Sequence, residues 1–483
     1  MKIELIKKTD KKKFSVEIVP VFGKKYLKIL ITKYKGMGDF IKNFDFSGEQ
    51  EESLVLNFPE SGGKTVILAG AGNSSDLDSI RKLSKSIIKI TSEMKVEKVL
   101  ISFLPEISLS VSILGNFIDF LYINSYSFNK YKKGDKKNRK IKSMSLYIPD
   151  NKIDKDIFNE RYFINEGVRY ARDLINDTPS EVNPGYLIDQ AKKISNSPSV
   201  SMNITEGKEL EKERLTGLLS VGKGSVNKPG LIKLSYIPNK YSIEISLVGK
   251  GITYDSGGLN LKPGSSMLSM KSDMSGAAIL LGIFKILCEL NISIKLNAFI
   301  PVAENMPAGS SYKPDDIITF RNGKSVEIIN TDAEGRLILA DAIIMASEDK
   351  PDHIIEFSTL TGSIVTALGD SFAGLMSRDR KIKKNLLKAG EITGEYLWEM
   401  PLYDNYKNSI KSKISDLKNA DYGGASSIKA GLFLDEFADN VSFAHIDIAG
   451  TAFLDKPNEY YSNSGATGYG IRLIWHYLKS FNL

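Results

Sequence analysis

The chain has 483 residues, 42% of them hydrophobic and 25% charged, a balance that excludes a mainly disordered chain, a collagen-like chain and a small disulfide scaffold. At roughly 100–200 residues per domain, two or three domains are expected. The formal net charge is +7, and the single cysteine, Cys288, excludes an intrachain disulfide and fits a reducing compartment.

The N-terminus, MKIELIKKTDKKK, has no apolar core behind its charges and is not read as a secretory signal. Residues 1–150 then alternate strand-like and helix-like segments. Phe14–Pro20, Tyr26–Ile31, Leu54–Phe58, Thr65–Ala69, Val99–Phe103 and Ser145–Ile148 read as strands, being apolar or alternating runs bounded by turn residues. Ser79–Lys95 and Leu109–Ile123 read as helices from the 3–4 spacing of their apolar residues. This N-terminal α/β domain holds the positive excess: 27 Lys+Arg against 17 Asp+Glu, or +10, leaving 38 against 41, or −3, in residues 151–483. Its densest basic cluster, Lys130 to Lys142, reads as a solvated lysine-rich loop or, alternatively, as a nucleic-acid contact. Lysine outnumbers arginine, which weakens the second reading.

Residues 151–177 predict a connecting helix, stopped by Pro179 and Pro184. Residues 178–483 return to an α/β pattern. Ile243–Val248 and Ile294–Ile300 are near-continuous apolar runs, as in a sheet covered on both faces, and Ile354–Phe357 and Phe443–Ile448 are shorter versions. Ser275–Leu290, Leu337–Ser347, Lys381–Gly394 and Ser427–Ala438 predict helices. The fold class is therefore α/β in two domains, the larger with a central mixed sheet flanked by helices. The apolar runs at Ile107–Ile123 and Ala277–Leu290 are too short to span a bilayer and carry Asp119 and Lys285. A cytoplasmic protein with no membrane partner is expected.

The three histidines, His353, His445 and His476, form no HExxH or other close pair, which excludes a histidine-rich zinc site. No GxSxG elbow is present, which disfavours a serine hydrolase. His353 and His445 lie in apolar strand-like runs and read as structural, and Cys288 as an inert buried thiol.

Carboxylates on loops remain. In Val248–Ala278, a buried strand runs into Lys250, then Asp255 before paired glycines, then Lys262, then Asp273 just ahead of a helix. Ligand sites in α/β sheets lie beyond the carboxyl ends of strands. In Asn330–Ala342, Asp332 and Glu334 are two residues apart, so extended backbone points both the same way, with Arg336 on that face. The plain alternatives are helix caps, Asp273 for one helix and Thr331–Asp332 with Glu334 for the other. Taken together, four converging carboxylates repel unless cations compensate them, and two metals about 3.5–4 Å apart are a standard hydrolytic device. Lys250 could donate a lone pair to such a cation only with a strongly lowered pKa.

These two stretches resemble the signature of the leucyl aminopeptidase family, metallopeptidase family M17. Ala303–Ile318, Ser358–Ser363, Ser415–Leu434, Ala444–Ala452 and Gly465–Leu473 extend the likeness, which covers roughly residues 165–475. Glu356 stands where the family often has aspartate, and Ser358 where it often has alanine. The resemblance implies hydrolysis of N-terminal residues, leucine-like ones preferred, from short peptides by a water bridging two divalent ions, Zn²⁺ or Mn²⁺. Lys250, Asp255, Asp273 and Glu334 would hold the tighter ion, and Asp255, Asp332 and Glu334 the more exchangeable one. Lys262 would stabilise the oxyanion, and Arg336 would hold a bicarbonate that shuttles the proton. Met270, Thr359, Gly362, Ala449 and Ala452 would line the pocket for the first side chain. A homohexamer is implied as well. The competing reading is a DNA-binding or regulatory protein that uses the basic N-terminal domain.

Overall fold

The structure is a computed structural model that describes residues 1–6, 13–33, 41, 43–58, 64–94, 96–133, 141–149 and 153–481. The chain divides into two compact units, Met1–Asn165 with Lys456–Ser464, and Glu166–Asp455 with Gly465–Leu483.

In the smaller unit β1 (Lys2–Leu5), β2 (Val16–Val21), β3 (Ser53–Phe58), β4 (Lys64–Gly70), β5 (Lys98–Ser102) and β6 (Ser143–Tyr147) form one sheet, in the order β1-β6-β5-β2-β4-β3. Every neighbouring pair is parallel except β3 with β4 at the edge. Ile18, Ile67 and Ile101, on three adjacent strands, are fully buried. The predicted helices are present as Leu77–Glu93 and Val111–Ser125, capped by Asp76 (to Ser79 N, 2.9 Å) and Ser110 (to Ile113 N, 3.2 Å). Asp119, which interrupts an apolar run, is buried against Arg161 (3.0 Å) and Asn165 (2.8 Å). The run Tyr26–Ile31 is not a strand but part of the helix Gly23–Lys33. Its buried residues, Leu27 and Leu30, are three apart with exposed Lys28 between them, a helical stripe that β-rich composition disguised. Of the basic cluster, residues 134–140 lie outside the described residues; Lys142 pairs with Glu97.

The larger unit is built on a nine-stranded mixed sheet. Its strands are β7 (Val200–Glu206), β8 (Gly230–Tyr236), β9 (Glu244–Gly249), β10 (Gly251–Asp255) and β11 (Lys295–Asn305). A side hairpin, β12 (Ile317–Thr319) and β13 (Ser325–Glu327), intervenes. The main sheet resumes with β14 (His353–Ser358), β15 (Ala373–Ser377) and β16 (Leu397–Glu399). Next β17 (Leu417–Lys418) joins β13 in parallel, and β18 (Ser442–Asp447) completes the large sheet. The order is β16-β15-β18-β14-β9-β11-β8-β7, with β10 beside β11. β18, β14, β9, β11 and β10 all run parallel, so their carboxyl ends gather at one edge. Residues Lys250, Asp255, Asn305, Thr359 and Asp447 stand at or next to those ends. β7 and β8, which pair antiparallel with β7 at the sheet edge, were not singled out in the sequence reading.

The helices Ser275–Leu287 and Gly335–Glu348 cover the sheet with almost wholly buried apolar residues. Gly264–Leu287 is long and apolar enough to span a membrane by composition, yet 72% of its apolar window is buried inside the protein, as in a core helix. Close packing brings the start of Ser275–Leu287 against the end of β9. A Cβ at Gly276 would lie 2.2 Å from the Phe357 carbonyl oxygen and 2.6 Å from Lys250 N. Gly276→Ala must therefore push helix and sheet apart at this point, at about 1–3 kcal/mol. Its unfolding midpoint in denaturant should fall accordingly, whereas Gly309→Ala, where an added Cβ meets nothing within 4 Å, should leave it unchanged.

Candidate metal centre

Lys250 lies between β9 and β10, 3% exposed, with Nζ 2.7 Å from Asp273 Oδ2 and 2.9 Å from Glu334 Oε1. A Cβ at Gly335 would sit 2.4 Å from Lys250 Cε, so glycine there makes room for the lysine stem. Lys262 Nζ lies 2.9 Å from Asp255 Oδ2 and 2.5 Å from Asp332 Oδ1. Oxygen atoms of Asp255, Asp273 and Glu334, all buried, lie within 4.8 Å of one another. Asp332 stands outside that trio, joined to it through Lys262, and is about one-third exposed. The five expected ligands and Lys262 thus share one cluster.

The plain capping alternatives fail. Asp273 belongs to a 3₁₀ turn, Met270–Met274, and the helix after it has no side-chain cap. The helix Gly335–Glu348 also lacks one, although Glu334 occupies its N-cap position. The expectation of an extended strand under Asp332 and Glu334 is corrected too. Asp332 lies in a turn and Glu334 has helical backbone (φ −73°, ψ −36°), so the turn, not strand alternation, brings the two carboxylates to the site.

Burial is the largest influence on these acids. It raises the pKa of Glu334, with Asp255 adding to the rise while Lys250 opposes it. Burial also raises Asp273, against the pull of Lys250. For Lys250 burial acts downward, but Asp273, Glu334 and Asp255 outweigh it and the pKa rises. The depressed lysine pKa expected from the sequence requires cations as neighbours; with carboxylates as neighbours the ammonium is favoured. Lys262 is likewise raised, burial being outweighed by Asp255, Glu334 and Asp332.

The donor set fits hard or borderline divalent ions: carboxylate oxygens and one amine, on fixed elements. Glu334 Oε2 is buried without a hydrogen-bond partner among the described residues, which leaves its lone pairs free for a cation.

Several uncharged residues that sequence reasoning left out hold this geometry. Asn305 Nδ2 donates to Asp255 Oδ1 (2.9 Å) and to the Thr331 carbonyl (3.0 Å), which also accepts from Tyr312 OH (2.7 Å). Thr331 Oγ1 donates to the Gly257 carbonyl (2.7 Å) and accepts from Asn260 N (2.8 Å), lashing the two acidic stretches together. Gly257 (φ +87°) and Gly258 (φ +64°) adopt the left-handed backbone expected of the pair. These residues fall within the quoted motifs, but an isolated Asn or Thr gives no chemical signal.

The expected pocket residues divide. Thr359 Oγ1 donates to Asp273 Oδ1 (2.8 Å), so it joins the cluster, and Met270 begins the turn that carries Asp273. Gly362 starts the short helix Gly362–Leu368, and an added Cβ there meets open space. Leu360 N and Ala449 N both donate to Asp447 Oδ1 (3.2 Å each), which brings the segments after β14 and β18 together. Ala452 is buried three residues beyond Ala449. Arg336 Nη1 donates to the Asn419 carbonyl (2.7 Å), while its Nε is buried and unpartnered among the described residues. Burial lowers the Arg336 pKa to about 10, against Glu334 and Asp447, so it stays cationic at neutral pH.

Comparison with known proteins gives this centre its context. Residues 169–475 match the model of the cytosol aminopeptidase family catalytic domain, and residues 32–135 that of the family's N-terminal domain. The chain is 37% identical to a probable cytosol aminopeptidase of Alkaliphilus oremlandii, over 92% of this chain and 90% of that protein. One from Aquifex aeolicus is 36% identical, over 98% and 97%. Among solved structures, the bottromycin maturation enzyme BotP in complex with Mn superposes with a TM-score of 0.86 at 26% identity, over 96% of this chain and 99% of that one. The chain belongs to the cytosol aminopeptidase family, metallopeptidases that remove N-terminal residues from peptides.

Proposed function

We propose that this enzyme is a leucyl aminopeptidase with two divalent ions per subunit, releasing leucine and similar residues from short peptides. The convergence of Asp255, Asp273 and Glu334 within 4.8 Å, interleaved with Lys250 and Lys262, carries this reading. Lys250, Asp255, Asp273 and Glu334 hold the tighter ion; Asp255, Asp332 and Glu334 hold the exchangeable one, consistent with the greater exposure of Asp332. The ions supply the Lewis acidity and the activated water that hydrolysis needs. Zn²⁺ or Mn²⁺ suits the donors, and the manganese complex of BotP supports the latter.

Lys262, held against Asp255 (2.9 Å) and Asp332 (2.5 Å), would be the donor for charge developing on the scissile carbonyl oxygen. Asp273, braced by Thr359, is placed to accept the substrate's free α-amine. Arg336 offers an unpartnered Nε inside a buried site, which fits a small planar anion such as bicarbonate that can carry a proton. Met270, Gly362, Ala449 and Ala452 would line the pocket for an apolar first side chain. The names of the relatives support a cytosolic location, and we extend the reading to a homohexamer, to be tested by light scattering.

Three outcomes are expected. Lys262→Ala should lower kcat about 10²–10³-fold while the fold persists; near-normal turnover would remove its role. Chelation should abolish activity on leucyl arylamides, Zn²⁺ or Mn²⁺ should restore it, and Asp332→Ala should bind one ion fewer by elemental analysis. Nα-acetylation of the substrate should abolish cleavage; a cleaved acetylated substrate would point to a different hydrolase. No observation among the described residues favours nucleic acid as a partner, and the absence of a gel shift at low salt would exclude it.

A further inference from the structure

The segment after β17 carries a residue that no charge or motif logic singles out. Asn419 is 0% exposed and lies alongside the strand that leads to Asp332, because β17 pairs in parallel with β13. Its Oδ1 accepts from Ile329 N (2.8 Å) and Asn330 N (3.2 Å). Its Nδ2 donates to the carbonyls of Asn330 (2.7 Å) and Ala333 (3.4 Å). Its backbone N donates to the Glu327 carbonyl (3.0 Å), and its own carbonyl receives Arg336 Nη1 (2.7 Å).

We propose that Asn419 is a positioning residue that locks the Asp332 turn and the Arg336 guanidinium into one unit. The inference rests on the metal and anion roles proposed above for those two residues. The amide spans both ends of the turn, so Asp332 cannot swing without breaking its bonds. The carbonyl holds one arm of the guanidinium and leaves Nε free to face an anion. Only a carboxamide supplies an acceptor for two N–H groups and a donor for two carbonyls from one planar group. Aspartate keeps the shape and the acceptor but sets an oxygen against the carbonyls of Asn330 and Ala333.

Outer partners of metal ligands typically matter by about 10–100-fold in affinity or activity. Asn419→Asp should therefore lower kcat by about that factor and weaken Mn²⁺ binding at the exchangeable site, measured by equilibrium dialysis, while KM for leucyl substrates changes little. Asn297→Ala is the control for lost buried hydrogen bonds. Asn297 is buried near the opposite end of β11, bonded to Ser235 and Glu244, and its loss should leave kcat and Mn²⁺ affinity intact. In the double variant Asn419→Asp/Arg336→Ala, the losses should be smaller than the product of the single ones. Wild-type kcat and Mn²⁺ affinity in Asn419→Asp, with Arg336→Ala impaired, would overturn the role of Asn419 and leave the reading of the site standing. An unimpaired Arg336→Ala would instead overturn that reading.

Discussion

Charge balance in a space with little water governs this protein. Three buried carboxylates reach within 4.8 Å of one another. At that separation, with an effective dielectric of about 20, each pair of full charges repels by about 3–4 kcal/mol. Two lysines interleaved with the acids offset this, Lys250 between Asp273 and Glu334, and Lys262 between Asp255 and Asp332. Burial raises the pKa of both Asp273 and Glu334 against the pull of the lysines, and a tight group of carboxylates of this kind suits divalent cations.

The fold serves that balance by topology. Five parallel strands end at one edge, and each delivers one polar group beside its neighbour. The approach must be close, which is why Gly276 and Gly335 stand where a side chain would strike the backbone at Lys250 or its stem. Polar amides then fix the loops. Asn305 ties Asp255 to Thr331, and Asn419 ties the next turn to Arg336. The cluster is thus held by uncharged donors as much as by its own ion pairs, and it need not collapse when protonation or ligation changes.

Legibility in the sequence followed chemistry rather than geometry. Lys250, Asp255, Lys262, Asp273, Asp332 and Glu334 were visible because charged residues recur densely between apolar runs, although helix caps were the plain alternative for several of them. Their family motifs made the role specific. The local backbone was less visible: Asp332 and Glu334 converge through a turn, whereas the spacing suggested an extended strand. Asn305 and Asn419 lay inside the quoted motifs but gave no signal of their own, because an asparagine gains meaning only from the backbone it faces. The buried central strands were legible from apolar runs; β7 was not, since its mostly polar sequence is stabilised by long-range antiparallel pairing. The helix Gly23–Lys33 was misread because its apolar residues are β-prone and only their burial spacing reveals it.

The departure at Glu356 has a structural answer in the same sheet. Glu356 on β14 sits directly across from His445 on β18, and its carboxylate hydrogen-bonds His445 Nδ1 with both side chains fully buried. Burial pushes His445 downward but Glu356 outweighs it, so the histidine is raised, while Glu356 is raised by burial against His445. The pair therefore bridges two strands whose ends carry Thr359 and Asp447. Removing either partner would strand a buried polar group at about 3–5 kcal/mol. A polar tie inside an apolar sheet is a costly way to gain stability but an effective way to fix register, since a slip by one residue would separate the two groups. Register between β14 and β18 is what sets Leu360 against Asp447, so the histidine read from sequence as merely structural supports the strand edge beside the candidate metal centre.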